Sequence, residues 1–189
     1  MKQFLFIFFL LIFYGVVDAQ HTEGLPQEAI SEVKNYIKGK DYNQNVAIFI
    51  NFRIHSGKYR YFFYDLKKDS ILQKAIVAHG SGSENMKDPS LTFSNINGSY
   101  QSSLGKFEVG KSYIGKFGKA YRLKGLDSTN NKAMERAIVI HSYHCIPDKE
   151  STMPTCLSLG CPMLSQHAFN QSAKYIDGSK QPIILYAFY

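Results

Sequence analysis

Beyond residue 45 the chain is a succession of short apolar and aromatic runs, each closed by glycine, serine, asparagine or charge. That pattern restricts it to a strand-rich fold. Residues 46–52 read as a strand, and residues 60–66 and 71–79 as a hairpin turning at Lys67-Lys68-Asp69-Ser70. Shorter strands follow near 105–109 and 119–123, another over 137–141 ends at His141, and the last covers 181–189. Abundant Tyr and Phe suit such strands. Three helical segments interrupt them. Over 25–38, Ala29, Ile30, Val33 and Ile37 share one face, Pro26 suits the first turn and Gly39 the stop. A short helix is predicted over 129–136. A third runs from a Ser165 cap to about residue 175, with Ala168, Phe169 and Ala173 inward. The expected class is α+β, a β-rich domain with a few peripheral helices. Two long connections, 80–100 and 142–157, begin next to His79 and His141, and connections of that length in a compact domain often carry function.

The first residues read as an export signal. Lys2 precedes an unbroken apolar run over 4–14, and Val17-Asp18-Ala19 offers a cleavage site before Gln20. The run is short of the roughly 20 residues that span a bilayer. The expected organisation is a signal peptide over 1–19, a helical lead-in over 20–44 and one domain over 45–189, with no stable membrane span after cleavage. The expected location is the periplasm or cell envelope. Loss of 1–19 removes one Lys and one Asp, so the formal charge stays at +7. A basic exported chain suits an acidic surface such as a cell wall or membrane face. The lysines are scattered and no nucleic-acid motif is present, so no nucleic-acid partner is expected.

Three cysteines, Cys145, Cys156 and Cys161, leave at least one thiol over in an oxidising compartment. Cys145 and Cys156 bracket the second long connection, and a bridge between them contributes about 3 kcal/mol by loop closure. Cys156–Cys161 and Cys145–Cys161 are the other pairings. His141, His144 and the three cysteines supply metal-ligand chemistry, but their spacing matches no paired structural zinc pattern. No metal or cofactor is expected.

With Cys161 unpaired, a chemistry follows. A thiol near its ordinary pKa of about 8.5 is mostly protonated at neutral pH and needs a base. His141, at the end of an apolar strand twenty residues upstream, is the candidate. Gly160 allows close backbone approach, and the amides of Gly160 and Cys161 are candidates for an oxyanion hole. Pro162 suits the first turn of a following helix, whose positive end favours a thiolate.

The order strand–His, loop, Ser158-Leu159-Gly160-Cys161-Pro162 resembles the YkuD-type L,D-transpeptidase catalytic domain. Further motifs are similar to the murein L,D-transpeptidase branch: Ala78-His79-Gly80-Ser81-Gly82-Ser83, Phe93-Ser94-Asn95, Tyr113-Ile114-Gly115-Lys116-Phe117-Gly118 and Arg136-Ala137-Ile138-Val139-Ile140-His141. The resemblance covers about residues 45–189. It implies a β-rich catalytic domain, Cys161 as nucleophile, His141 as base, and Ser142 as the residue whose carbonyl orients the imidazole. Ser158 and Gly160 fall on the Ser-x-Gly-Cys motif, and His79, Ser158 and Asn95 are candidates to bind substrate. The implied partner is the peptidoglycan stem peptide, acylated onto Cys161 as a thioester and passed to an amine. Water as acceptor gives an L,D-carboxypeptidase, and a wall-binding envelope protein without catalysis is the reading from a different class. Leu159 and Pro162 stand where the common motif has His and Arg or Asn, and Ser142 where Gly is usual.

Overall fold

The computed structural model describes residues 24–85 and 87–189; the predicted signal peptide lies outside the described residues. The chain order is α1 (Gln27–Ile37), β1 (Val46–Asn51), β2 (Tyr61–Asp65), β3 (Ser70–Ala75), β4 (Gly105–Gly115), β5 (Gly118–Gly125), β6 (Val139–Ser142), β7 (Met163–Leu164), α2 (Gln166–Asp177) and β8 (Ile183–Phe188). All eight strands form one mixed sheet in the order β3-β2-β1-β8-β4-β5-β6-β7. β1 runs parallel to β8 and β6 parallel to β7, while the other neighbours are antiparallel.

Strand alternation builds two cores from one sheet. Ile48 and Ile50 of β1 face a large core with Phe107, Leu123, Ile140 and the Ala168 and Phe169 face of α2. Ala47 and Phe49, the intervening residues, meet Phe62, Tyr64 and the Ile30 and Val33 face of α1 on the other side. Full burial of each large apolar side chain is worth roughly 1.5–3 kcal/mol, so a one-residue slip in β1 is costly on both faces. Ser165 caps α2, its Oγ accepting from Ala168 N at 3.0 Å. Gln73 Nε2 of β3 donates to Ala168 O at 2.8 Å and fixes α2 against the sheet.

Three features depart from the sequence reading. Residues 129–136 form successive turns instead of a helix. There the Asn130 side chain accepts from Asp127 N and donates to Lys106 O, and Asn95 Oδ1 accepts from Lys132 N. The Lys132 amide is thus drawn to a side chain outside the segment, and Asn130 ties the turns to β4, in competition with a helical ladder. β4 runs on to Gly115 because a bulge between Val109 and Ser112 absorbs an irregularity in its pairing with β5. Pro162 leads into β7, and α2 begins only after Ser165, so no helix N-terminus sits at Cys161.

The hairpin's second arm leaves the sheet after Ala75. Residues 76–79 cross to β7, where Ala78 N donates to Met163 O at 3.0 Å. This crossing brings the 80–83 turn against the loop that carries Ser158 and Cys161.

Candidate active site

His141 lies on β6, paired with Ala120 of β5 on one side and Met163 of β7 on the other. It is 3 % exposed. Its Nδ1 is 3.0 Å from the carbonyl oxygen of Ser142. A carbonyl only accepts, so Nδ1 carries the proton and Nε2 keeps its lone pair. Ser142 is itself fixed, its Oγ donating to Gln166 Oε1 at the start of α2 at 3.0 Å. Burial pulls the His141 pKa below its ordinary value against the opposing Ser142 hydrogen bond, which favours the neutral imidazole.

Phe117, in the two-residue turn between β4 and β5, stacks on the His141 ring with centroids 4.8 Å apart and planes 17° apart. Tyr143 meets the Phe117 ring edge-on at 5.5 Å. The sequence motif containing Phe117 carried no signal for this role, because the contact depends on how far the β4–β5 hairpin projects past β6.

Cys161 is the free cysteine; Cys145 and Cys156 are joined in a disulfide across eleven residues. Cys161 Sγ accepts from Val139 N at 3.4 Å and contacts Ala137 O at 3.7 Å. Its hydrogen bonds therefore run to the backbone entering β6 and not to His141. Burial raises its pKa, while the Val139 amide and the Arg136 guanidinium oppose that rise. Burial thus favours the thiol form of Cys161 and the neutral form of His141.

Gly160 has φ +114°, and a Cβ there would lie 2.9 Å from Gln101 O and 3.4 Å from Arg136 Nη2. Only glycine fits this bend. Its N–H donates to Ser158 Oγ at 3.0 Å. Ser158 is held by its own amide, which donates to His79 O at 2.8 Å, and by its carbonyl, which accepts from Ser81 N at 2.8 Å. The Ser-x-Gly-Cys spacing thus works as a brace: the serine hydroxyl shapes the loop whose next turn presents the thiol.

Arg136 forms the other wall. Its guanidinium donates to Ser94 O at 2.7 Å, Ser103 Oγ at 2.5 Å, Gln101 O at 2.6 Å and Ser99 Oγ at 3.4 Å. It therefore ties the 94–103 segment to the residues entering β6, with its guanidinium lying close against Gly160. Sequence reasoning gave Arg136 no role; the signal was an arginine directly ahead of the apolar strand that ends in histidine.

The remaining candidates sit elsewhere. Asn95 braces the 128–132 turn, its Nδ2 donating to Ser128 O and Asn131 Oδ1. His79 shares its backbone with the Ser158 brace, but its side chain lines a separate cavity with Arg60. The structure thus brings Cys161, Ser158 and Gly160 together beside the β6 strand of His141 and Ser142, and leaves the side chains of Asn95 and His79 outside that group. Among the described residues no cluster of three His, Cys, Asp or Glu is arranged to hold a metal ion. Nor is any helix among them long and apolar enough to cross a membrane.

Residues 19–188 match the family described as the L,D-transpeptidase catalytic domain. No curated protein matches the chain. Among solved structures it is similar to an L,D-transpeptidase from Xylanimonas cellulosilytica at 12 % identity and TM-score 0.40, over 87 % of this chain and 70 % of that one. A mutant of the helical cell shape determining protein Pgp2 from Campylobacter jejuni is similar at 15 % identity and TM-score 0.49, over 86 % of this chain and 56 % of that one. An L,D-transpeptidase from Mycobacterium smegmatis is similar at 12 % identity and TM-score 0.41, over 77 % and 59 %. The chain spans less than two thirds of the length of the last two proteins.

Proposed function

The chain belongs to the L,D-transpeptidase catalytic domain family, and on that premise we propose that it is an exported cysteine acyltransferase acting on peptidoglycan stem peptides. The observation that carries the reading is a free thiol held against the strand that ends in an oriented imidazole: Cys161 is unbridged and its Sγ accepts from Val139 N at 3.4 Å, while the His141 Nδ1–H is held by Ser142 O at 3.0 Å, which leaves Nε2 free to act as base.

Because burial disfavours both the thiolate and the imidazolium, proton transfer accompanies attack instead of preceding it. Cys161 turns from its backbone contacts toward the substrate carbonyl. Its Sγ bonds to the carbonyl carbon as the thiol proton passes to His141 Nε2. The oxyanion falls to the Cys161 amide, since the Gly160 amide is held by Ser158 Oγ. Collapse breaks the C–N bond; the departing amine of the terminal D-residue takes the proton from His141, and a thioester remains. An acceptor amine then loses its proton to His141 as it attacks, and Cys161 leaves with that proton as a thiol.

Mass spectrometry of Cys161 after incubation with a disaccharide tetrapeptide tests this directly. The expected adduct is a thioester of the stem tripeptide, absent from Cys161→Ala and slowed by orders of magnitude in His141→Ala. A crosslinked product identifies an amine acceptor and free tripeptide identifies water. No adduct and unchanged substrate leave a wall-binding protein without catalysis.

A further inference from the structure

Arg60 is 1 % exposed and lies immediately before β2, with no carboxylate among its hydrogen-bond partners in the described residues. Its Nε and Nη2 donate to Val77 O at 2.9 and 2.7 Å, its Nη1 donates to Ile54 O at 3.3 Å, and Nη2 also donates to His79 Nδ1 at 2.8 Å. All of these acceptors are neutral. A guanidinium has five N–H groups, so one on Nη1 remains without an acceptor. A buried cation with only neutral partners bears a desolvation cost of several kcal/mol that an anion can offset.

His79 adds a second unsatisfied donor. Arginine cannot accept, so His79 Nδ1 is the acceptor and Nε2 carries the hydrogen. The His79 side chain is 3 % exposed, and Nε2 is buried without a hydrogen-bond partner among the described residues. Glu84 Oε1 lies 3.4 Å from it, outside hydrogen-bond geometry. Both residues line a cavity of about 390 Å³, of a size that admits a small organic ligand.

We propose that this cavity is a binding site for the carboxylate of an amino-acid- to dipeptide-sized ligand, separate from the Cys161 site. Arg60 Nη1 and His79 Nε2–H supply two donors for the two carboxylate oxygens. Phe52, Ile54, Leu91 and Tyr189 supply apolar walls for an organic tail. Glu84 and Asp88 on the lining repel a dianion, which selects against inorganic phosphate. The site also touches the catalytic loop from behind: Ser158 N donates to His79 O, and Ser158 Oγ accepts from Gly160 N. The proposal does not depend on thioester chemistry at Cys161.

The test uses the Cys161→Ala full chain, so that no turnover intervenes. N-acetyl-D-alanine, its primary amide and inorganic phosphate are titrated while the His79 ring and Arg60 Nε–H resonances are followed by NMR. The expected result is saturable shifts with the acid and none with the amide or phosphate. Glu84→Gln, a change at a half-exposed position, removes the competing carboxylate and tightens binding several-fold. Arg60→Lys keeps the charge but loses the fork, and weakens binding by roughly tenfold or more. Equal shifts with acid and amide, preference for phosphate, no shift with any probe, or binding indifferent to Glu84→Gln overturns the proposal. None of these outcomes bears on the Cys161 thioester, which is read separately in the unmodified chain.

Discussion

Phe117 covers one face of the His141 imidazole, with ring centroids 4.8 Å apart and planes 17° apart. The β4–β5 hairpin achieves this because Ala120, three residues past Phe117, pairs directly with His141 in the sheet. The aromatic cover is part of the burial that keeps His141 neutral.

Removing that cover has a predictable sign. In Phe117→Ala the His141 pKa rises toward its ordinary value, and the acidic limb of Cys161 acylation moves to higher pH. Activity at mildly acidic pH falls, because the base must be neutral to accept the thiol proton. Phe117 is 46 % exposed, so the stability loss is about 1 kcal/mol or less. A pH–rate profile beside a thermal melt checks this; an unmoved limb removes Phe117 from the machinery.

Arg136 donates to four acceptors on the 94–103 segment, and its charge also acts on the Cys161 thiol. Arg136→Ala raises the Cys161 pKa further, since the guanidinium opposes the effect of burial. Alkylation of Cys161 near neutral pH slows, and stability falls by about 1–3 kcal/mol as part-buried acceptors lose their donors. Arg136→Lys restores charge without the fork and recovers alkylation better than stability. Timed iodoacetamide labelling and urea unfolding separate the two effects.

His79 makes stability depend on pH. Burial, then the Arg60 charge, lower its pKa from 6.5 to about 4 in the folded protein. The unfolded chain therefore takes up a proton that the folded chain refuses. Its contribution is complete above pH 6.5, declines as pH falls, and is lost by about pH 4. The loss is on the order of 3 kcal/mol. His141 acts with the same sign, so the informative comparison is the change in unfolding free energy across this window for the natural chain against His79→Gln. The variant has the shallower slope.

The Cys145–Cys156 bridge joins two positions eleven apart in sequence, between His141 and Cys161. Replacing both cysteines by serine costs about 3 kcal/mol on a chain-entropy estimate. Cys161 lies outside the bridge and continues to be labelled by thiol reagents. Peptide mapping after labelling of the unreduced protein places the label on Cys161 alone.

Much of the fold was legible because it is local. The alternation Val46-Ala47-Ile48-Phe49-Ile50 announces a strand buried on two faces, and Ala29, Ile30, Val33 and Ile37 announce one face of α1. Residues 129–136 misled because Asn130 and Asn95 take backbone partners across the fold, which no helical window detects. The two-residue β7 was invisible for a related reason: it exists only through its parallel pairing with β6.

The sequence by itself determined the chemistry on offer: one thiol left over from three cysteines, a glycine before it, and a histidine closing an apolar strand. Those signals lie in residue type and order. Tertiary structure alone decided the surroundings that set reactivity. It brought Arg136 and Gln101 against Gly160, laid Phe117 on His141, and turned His79 into a cavity with Arg60. Desolvation and charge at an atom depend on everything packed around it. Most of those neighbours come from strands and loops tens of residues away, so sheet register, and not local sequence, sets their distance.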